Sequence, residues 1–228
     1  MLIGGFQKFS LIDYPQKLAA IVFTQGCNFR CPYCHNPELL TKTSDSLIKE
    51  SLVFDFLRTR IGKLDAVVIS GGEPCLQDDL VDFIQKIKNI GFLVKLDTNG
   101  SFPEKFKEII NLKLVDYIAM DVKSPIEKYK EVTNSEINPD NILQSIDIIK
   151  TSGVDYEFRT TIVKSQLNEQ DIYQIGQMIS GAKRYYLQKF IPSKTLDKDF
   201  ETAETYSDNE LAEIKSPLIN YNLDCFIR

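Results

Sequence analysis

Six short apolar runs rich in β-branched residues recur between residues 18 and 190, each separated from the next by a longer amphipathic stretch. The runs at 18–24, 66–70, 93–97, 115–121, 156–163 and 185–190 have the length and continuous apolar character of strands buried on both faces. Between them, 44–60, 78–90, 103–111, 140–151 and 169–180 carry apolar residues at helical spacing. Asp78 with Asp79, and the run Asn168-Glu169-Gln170-Asp171, supply N-cap and first-turn chemistry for two of these helices. Gly91, Gly153 and Gly181 stand where three of them would end. Such alternation predicts an α/β fold in which helices cover a parallel sheet. A partial barrel and an open doubly wound sheet both satisfy the pattern. Residues 4–17 read as a hairpin or extension against the first strand, and the tail as a helix at 207–216 followed by a strand at 222–227. With no internal repeat, low-complexity tract or Gly/Ser linker, the chain reads as one domain: an N-terminal extension at 1–17, a core at 18–192 and a tail at 193–228.

Charge and composition narrow the function. A formal charge of −5 over 228 residues argues against nucleic-acid binding through a broad basic face. The longest apolar runs are too short to span a bilayer, and the first residues lack the pattern of a secretory signal. A cytoplasmic location with reduced thiols is therefore expected, with neither membrane nor nucleic acid as a partner. Five cysteines are an odd count for a disulfide framework. His35 is the one histidine, which excludes any mechanism that needs two.

Cys27, Cys31 and Cys34 fall within Gly26-Cys27-Asn28-Phe29-Arg30-Cys31-Pro32-Tyr33-Cys34-His35-Asn36, directly after the first expected strand of the core. Three thiolates spaced C-x3-C-x2-C on one loop can converge on a [4Fe–4S] cubane, which ordinarily takes four cysteines. With three, one iron keeps an open position, as catalytic metal sites do. Other readings fit the same residues less completely. Cys31 and Cys34 form a C-x-x-C redox pair, but that leaves Cys27 unexplained. Cys31-x-x-Cys34-His35 matches haem attachment, which ordinarily accompanies export. A zinc site of three cysteines and His35 requires adjacent residues to reach one tetrahedral ion.

The next strand ends in Ser70-Gly71-Gly72-Glu73-Pro74. Two glycines there permit a tight turn and close backbone approach to a ligand. In a parallel arrangement this loop and the cysteine loop share the C-terminal edge of the sheet, where ligand sites form.

The cysteine loop together with Gly-Gly-Glu-Pro resembles the radical S-adenosylmethionine superfamily. More specific stretches are Gly4-Gly5-Phe6-Gln7-Lys8, Ser10-Leu11-Ile12-Asp13-Tyr14-Pro15, Phe23-Thr24-Gln25-Gly26-Cys27, Tyr33-Cys34-His35-Asn36-Pro37-Glu38 and Ala119-Met120-Asp121-Val122-Lys123. They are similar to the activating proteins of anaerobic ribonucleoside-triphosphate reductase, and close to pyruvate formate-lyase activating enzymes. The resemblance runs from Gly4 to about Pro192. It implies a partial (β/α)6 TIM-type barrel behind a short N-terminal extension. It also implies a [4Fe–4S] cluster on Cys27, Cys31 and Cys34 that cleaves S-adenosylmethionine reductively to methionine and a 5′-deoxyadenosyl radical. The implied partners are a glycyl radical enzyme, with anaerobic ribonucleotide reductase first, and a reducing electron donor such as flavodoxin or ferredoxin. A radical enzyme acting on a small molecule, such as a 7-carboxy-7-deazaguanine synthase, is the alternative, although those synthases have altered cysteine spacing.

Site residues carry over from the resemblance position by position. Gly72 and Glu73 match the backbone edge that meets the methionine amino group. Tyr33 and His35 match positions packing near adenine; Tyr33 also suits a core position, and His35 a hydrogen bond to cluster sulfur. Asp97 and Thr98, with Asp121 and Lys123, match contacts to the methionine end and to a bound monovalent cation. They equally suit the turn and capping chemistry that follows a strand. Arg159, in an otherwise apolar strand, needs an anion if buried, and the cofactor carboxylate would serve. Cys75 and Cys225 stand apart, and a packed thiol is the expectation for Cys75.

Overall fold

A computed structural model describes residues 1–41 and 46–228 and places an eight-stranded sheet at the centre of the chain. Strands β1 (Ile3–Ser10), β2 (Ala19–Thr24), β3 (Ala66–Gly71), β4 (Leu93–Thr98), β5 (Tyr117–Asp121), β6 (Asp155–Ile162), β7 (Tyr185–Lys189) and β8 (Cys225–Ile227) lie side by side in chain order. β1 runs antiparallel to β2; the pairings from β2 to β8 are parallel. The helices are α1 (Glu50–Arg58), α2 (Leu80–Ile90), α3 (Pro103–Asn111), α4 (Tyr129–Thr133), α5 (Pro139–Thr151), α6 (Glu169–Met178) and α7 (Asp208–Lys215).

Strand order decides between the two expected architectures. A doubly wound sheet reverses its order at a switch point, whereas neighbours here succeed one another without reversal. The sheet also curls. Asp97 on β4 meets Arg159 on β6, two strands away, and Tyr14, from the β1–β2 connection, packs on Tyr117 of β5 at 5.6 Å. The result is a partial barrel. Its strands alternate in the way a barrel requires: Val94 and Leu96 join the large core, while Lys95 and Asp97 pair with each other apart from it. A second, smaller cluster holds Tyr14, Ala19, Ile21, Ala66, Val68 and Tyr117.

Several local expectations change. Residues 4–17 take the hairpin form of the two expected, contributing most of β1 and the turn that leads into its antiparallel partner β2. The helix expected over 44–60 begins at Glu50; Ser44 and Asp45 lie outside the described residues. Ile48 instead donates its N–H to the Ile3 carbonyl at 2.9 Å, which holds that segment extended. Asp79 occupies the N-cap position of α2 without capping it, because its carboxylate pairs with the Met1 α-amino group. Asn168 and Asp171 do form a reciprocal capping box on α6, and Gly91 ends α2 at φ 101°. Helix α4 was not expected; at five residues it is too short for a periodic signal.

Candidate active site

The C-terminal ends of β2 to β6 open onto one cavity of about 230 Å³. Eleven of the expected site residues line it: Cys27, Cys31, Tyr33, Cys34, His35, Gly72, Asp97, Thr98, Asp121, Lys123 and Arg159. Glu73 is the exception, and it takes a different part.

The cysteine loop is anchored on three sides. Gly26 and Cys27 donate their N–H groups to the carbonyls of Leu39 and Leu40 at 2.7 and 3.2 Å, closing the loop on itself. From β3, Gly72 N–H reaches the Thr24 carbonyl at 3.0 Å and Glu73 N–H the Gly26 carbonyl at 2.8 Å. A Cβ on Gly72 would lie 2.1 Å from the Gly26 oxygen, so this approach of two backbones excludes any side chain. From the tail, Leu196 N–H donates to the Cys34 carbonyl at 3.0 Å and Asp197 N–H to that of Pro32 at 2.9 Å. Burial pushes the Cys27 thiol up to about 12 and raises Cys31 as well. Coordination deprotonates a thiol outright, so metal loading would displace these protons.

Aromatic side chains enclose the third cysteine. Tyr33 is 4% exposed and meets Phe190 edge-on, with centroids 6.4 Å apart at 82°. Its hydroxyl is buried without a hydrogen-bond partner. His35 stacks on the same Phe190 at 5.4 Å, and its Nε2 lies 3.0 Å from the Ile191 carbonyl oxygen.

Opposite the cysteines runs a ladder of buried charge. Arg159 Nε donates to Asp121 Oδ1 at 2.7 Å and its Nη1 to Asp97 Oδ2 at 3.1 Å. Lys95 Nζ donates to Asp97 Oδ1 at 2.6 Å and Lys123 Nζ to Asp121 Oδ2 at 3.1 Å. Deeper, Glu157 accepts from Tyr117 Oη at 2.9 Å and Arg228 Nη1 at 3.2 Å. For Asp97 and Asp121, burial acts to raise the carboxyl, but the adjacent cations outweigh it and lower both, Asp121 to about 2. The sequence offers the cofactor carboxylate as anion for Arg159, and the structure gives it Asp121, which Lys123 shares. The two carboxylates matched to a monovalent cation likewise already have basic partners.

Glu73 turns its carboxylate away from the cavity into a fully buried cage. It accepts from Cys75 N–H at 2.9 Å, Thr98 Oγ1 at 2.9 Å and Asn99 N–H at 2.7 Å, bracing the β3 loop against the β4 loop. Burial raises its pKa, against those three bonds. Cys75 is packed beneath the same turn, as expected of a small thiol, and Cys225 is buried in β8. Ser70, Phe29, Asn36 and Thr161 also line the cavity and were not singled out. Position at a strand's C-terminal end would have found Ser70 and Thr161.

The donor set suits a three-thiolate cluster with an open face. One loop brings three thiols to one cavity, a buried hydroxyl beside them lacks an acceptor, and a bare glycine edge faces them. Among the described residues, no three of His, Cys, Asp or Glu gather as ligands of a single ion, and no helix is long and apolar enough to cross a membrane.

Comparison with known proteins agrees. The Radical SAM superfamily model matches residues 21–179. A protein of Methanocaldococcus jannaschii, assigned by name as a glycyl-radical enzyme activating enzyme, is 39% identical over 220 residues, covering 93% of this chain and 90% of that one. Pyruvate formate-lyase-activating enzyme of Clostridium pasteurianum is 29% identical over 204 residues, covering 85% and 82%. SuiB of Streptococcus suis, solved with its precursor peptide SuiA, matches 91% of this chain and 48% of its own at TM-score 0.71; at 13% identity it shares the fold alone. The chain therefore belongs to the radical SAM superfamily, among its glycyl-radical enzyme activating enzymes, and its cofactors are a [4Fe–4S] cluster and S-adenosylmethionine.

Proposed function

We propose that this chain installs a glycyl radical on anaerobic ribonucleoside-triphosphate reductase. The observation that carries the reading is the meeting of three thiols from one loop with the acidic and basic side chains of β4, β5 and β6 in one cavity. Similarity along nearly the whole length of the M. jannaschii protein supports the activase class, and the motifs from Gly4 to Lys123 favour the reductase as target. When bound, the cluster and S-adenosylmethionine supply reductive cleavage of the sulfonium bond and a hydrogen-abstracting adenosyl fragment.

The chain's residues bind and orient. Cys27, Cys31 and Cys34 hold the cluster. The Gly71–Gly72 edge, Asp97, Thr98, Asp121 and Lys123 receive the methionine end, with Asp97 and Asp121 held ionised by their basic partners. Arg159 works through those two carboxylates and so positions them. Tyr33 and His35, fixed by Phe190, wall the adenine side. A low-potential donor of flavodoxin or ferredoxin type supplies the electron.

Anaerobic reconstitution with iron and sulfide should give a brown protein that forms 5′-deoxyadenosine from S-adenosylmethionine under reducing conditions. Mixing with the reductase should then produce an organic glycyl radical signal. A colourless zinc protein would end the enzyme reading. Cofactor cleavage with a radical only on another glycyl radical enzyme would move the target, and turnover of a small molecule alone would overturn the activase assignment.

A further inference from the structure

Tyr33 carries a polar atom for which the fold provides no partner. Its ring is among the most enclosed at the site, and Oη makes no hydrogen bond. Buried hydroxyls in native proteins almost always find an acceptor, because leaving one unmade is costly. Phe190, edge-on to the ring, restricts the choices open to the hydroxyl. The turn that carries it is closed by Cys34 N–H donating to the Cys31 carbonyl at 3.0 Å, which fixes the backbone from which the phenol projects.

The surrounding groups narrow the acceptor. The titratable groups that act on it electrostatically are Cys31, the strongest, then Lys123, Asp121 and Tyr129. Lys123 is a donor only. Both Asp121 oxygens are engaged, one by Arg159 and the other by Lys123. Tyr129 Oη already accepts from Lys123 N–H at 3.2 Å. The sulfur of Cys31 remains, and as a neutral thiol it is a weak acceptor. It becomes a strong one as a metal-bound thiolate. A phenol is protonated at neutral pH and so available to donate.

The geometry points to Tyr33 as a residue that donates a hydrogen bond from Oη to sulfur at the Cys31 corner of the cluster and thereby sets its reduction potential. Packing at the adenine side, which the resemblance implies for this position, needs only the ring; the hydroxyl is left for the metal. Hydrogen bonds to cluster sulfurs stabilise the more negative, reduced state and raise the potential. Tyr33 thus makes the cluster easier to reduce, a role distinct from holding substrate. This rests on the cluster being bound and is independent of which protein receives the radical.

The test compares reconstituted holoenzymes by redox titration. Tyr33→Phe removes the hydroxyl and nothing else; its iron and sulfide content should match the wild type, with the midpoint potential shifted lower. Placing 3-fluorotyrosine at position 33 strengthens the donor and should shift the potential higher. If Tyr33→Phe fails to load, the fluorotyrosine protein alone decides. Loaded proteins with the wild-type potential would overturn the proposal and leave the activase assignment intact. A wild-type protein that takes up no iron and sulfide would overturn both.

Discussion

Arg159 on β6 sits in register with Asp121 on β5, and its guanidinium joins that carboxylate at 2.7 Å while also reaching Asp97 on β4 at 3.1 Å. One side chain therefore ties three strands together at the mouth of the barrel. Removing a partner from a buried pair leaves an uncompensated charge, which typically costs about 3–5 kcal/mol. Arg159→Ala is expected to lose stability on that scale in urea unfolding of the cluster-free protein. Arg159→Lys keeps the charge without the planar fork and should lose less. An unfolding midpoint unchanged in Arg159→Ala would show that the carboxylates do not depend on it.

Acid should attack the same ladder. Burial alone would raise Asp121, yet Arg159 and Lys123 hold it at about 2 against an ordinary 3.8. A carboxyl depressed in the folded state stabilises fully above its unfolded pKa and loses that contribution as pH falls through the folded value. The window is thus roughly pH 4 down to 2, and the contribution roughly 2 kcal/mol. Denaturant midpoints recorded across that window should fall, and Asp121→Asn should flatten part of the slope. A slope indifferent to Asp121→Asn would count against the pairing.

Gly72→Ala is the sharpest probe of the contact between loops. The added carbon would sit 2.1 Å from the Gly26 oxygen and 2.6 Å from its carbonyl carbon. Backbone must move, and overpacking of this kind costs about 1–3 kcal/mol. Because the atom displaced belongs to the residue before Cys27, cofactor cleavage should fall more than stability does. Assays of 5′-deoxyadenosine formation alongside thermal unfolding would separate the two; equal, small effects would mean the loops are less closely coupled.

Cysteine replacements should divide cleanly. Alanine at Cys27, Cys31 or Cys34 is expected to abolish the brown chromophore and 5′-deoxyadenosine formation. Cys75→Ala, buried beneath the Gly-Gly turn but outside the cavity lining, should keep both and lose only packing stability. Iron and sulfide analysis of the four variants checks the division, and a colourless Cys75→Ala protein would contradict it.

The frame was readable because its signals are local. Each continuous apolar run became a strand from β2 to β7, and parallel alternation brought the cysteine loop, the Ser70–Gly72 turn and the strand residues Asp97, Thr98, Asp121 and Arg159 to one cavity. What escaped depends on distance in the chain. Glu73 could be placed at the turn, but not its cage of Cys75, Thr98 and Asn99 donors. Arg159 could be expected to need an anion, but its choice of Asp97 and Asp121 follows from strand register and sheet curvature. β1 was legible only as a hairpin or an extension without a choice between them, since Gly4, Gly5, Gln7 and Lys8 dilute the apolar alternation that marks a strand. Periodicity alone did not separate the barrel from a doubly wound sheet; the family resemblance did, and the strand order bears it out.

The amides of Leu196 and Asp197, bonded to the carbonyls of Cys34 and Pro32, work as a latch between the far end of the chain and the loop that would grip iron. Loading and unloading of the loop should therefore be audible some 160 positions downstream, in how slowly those two protons trade with solvent.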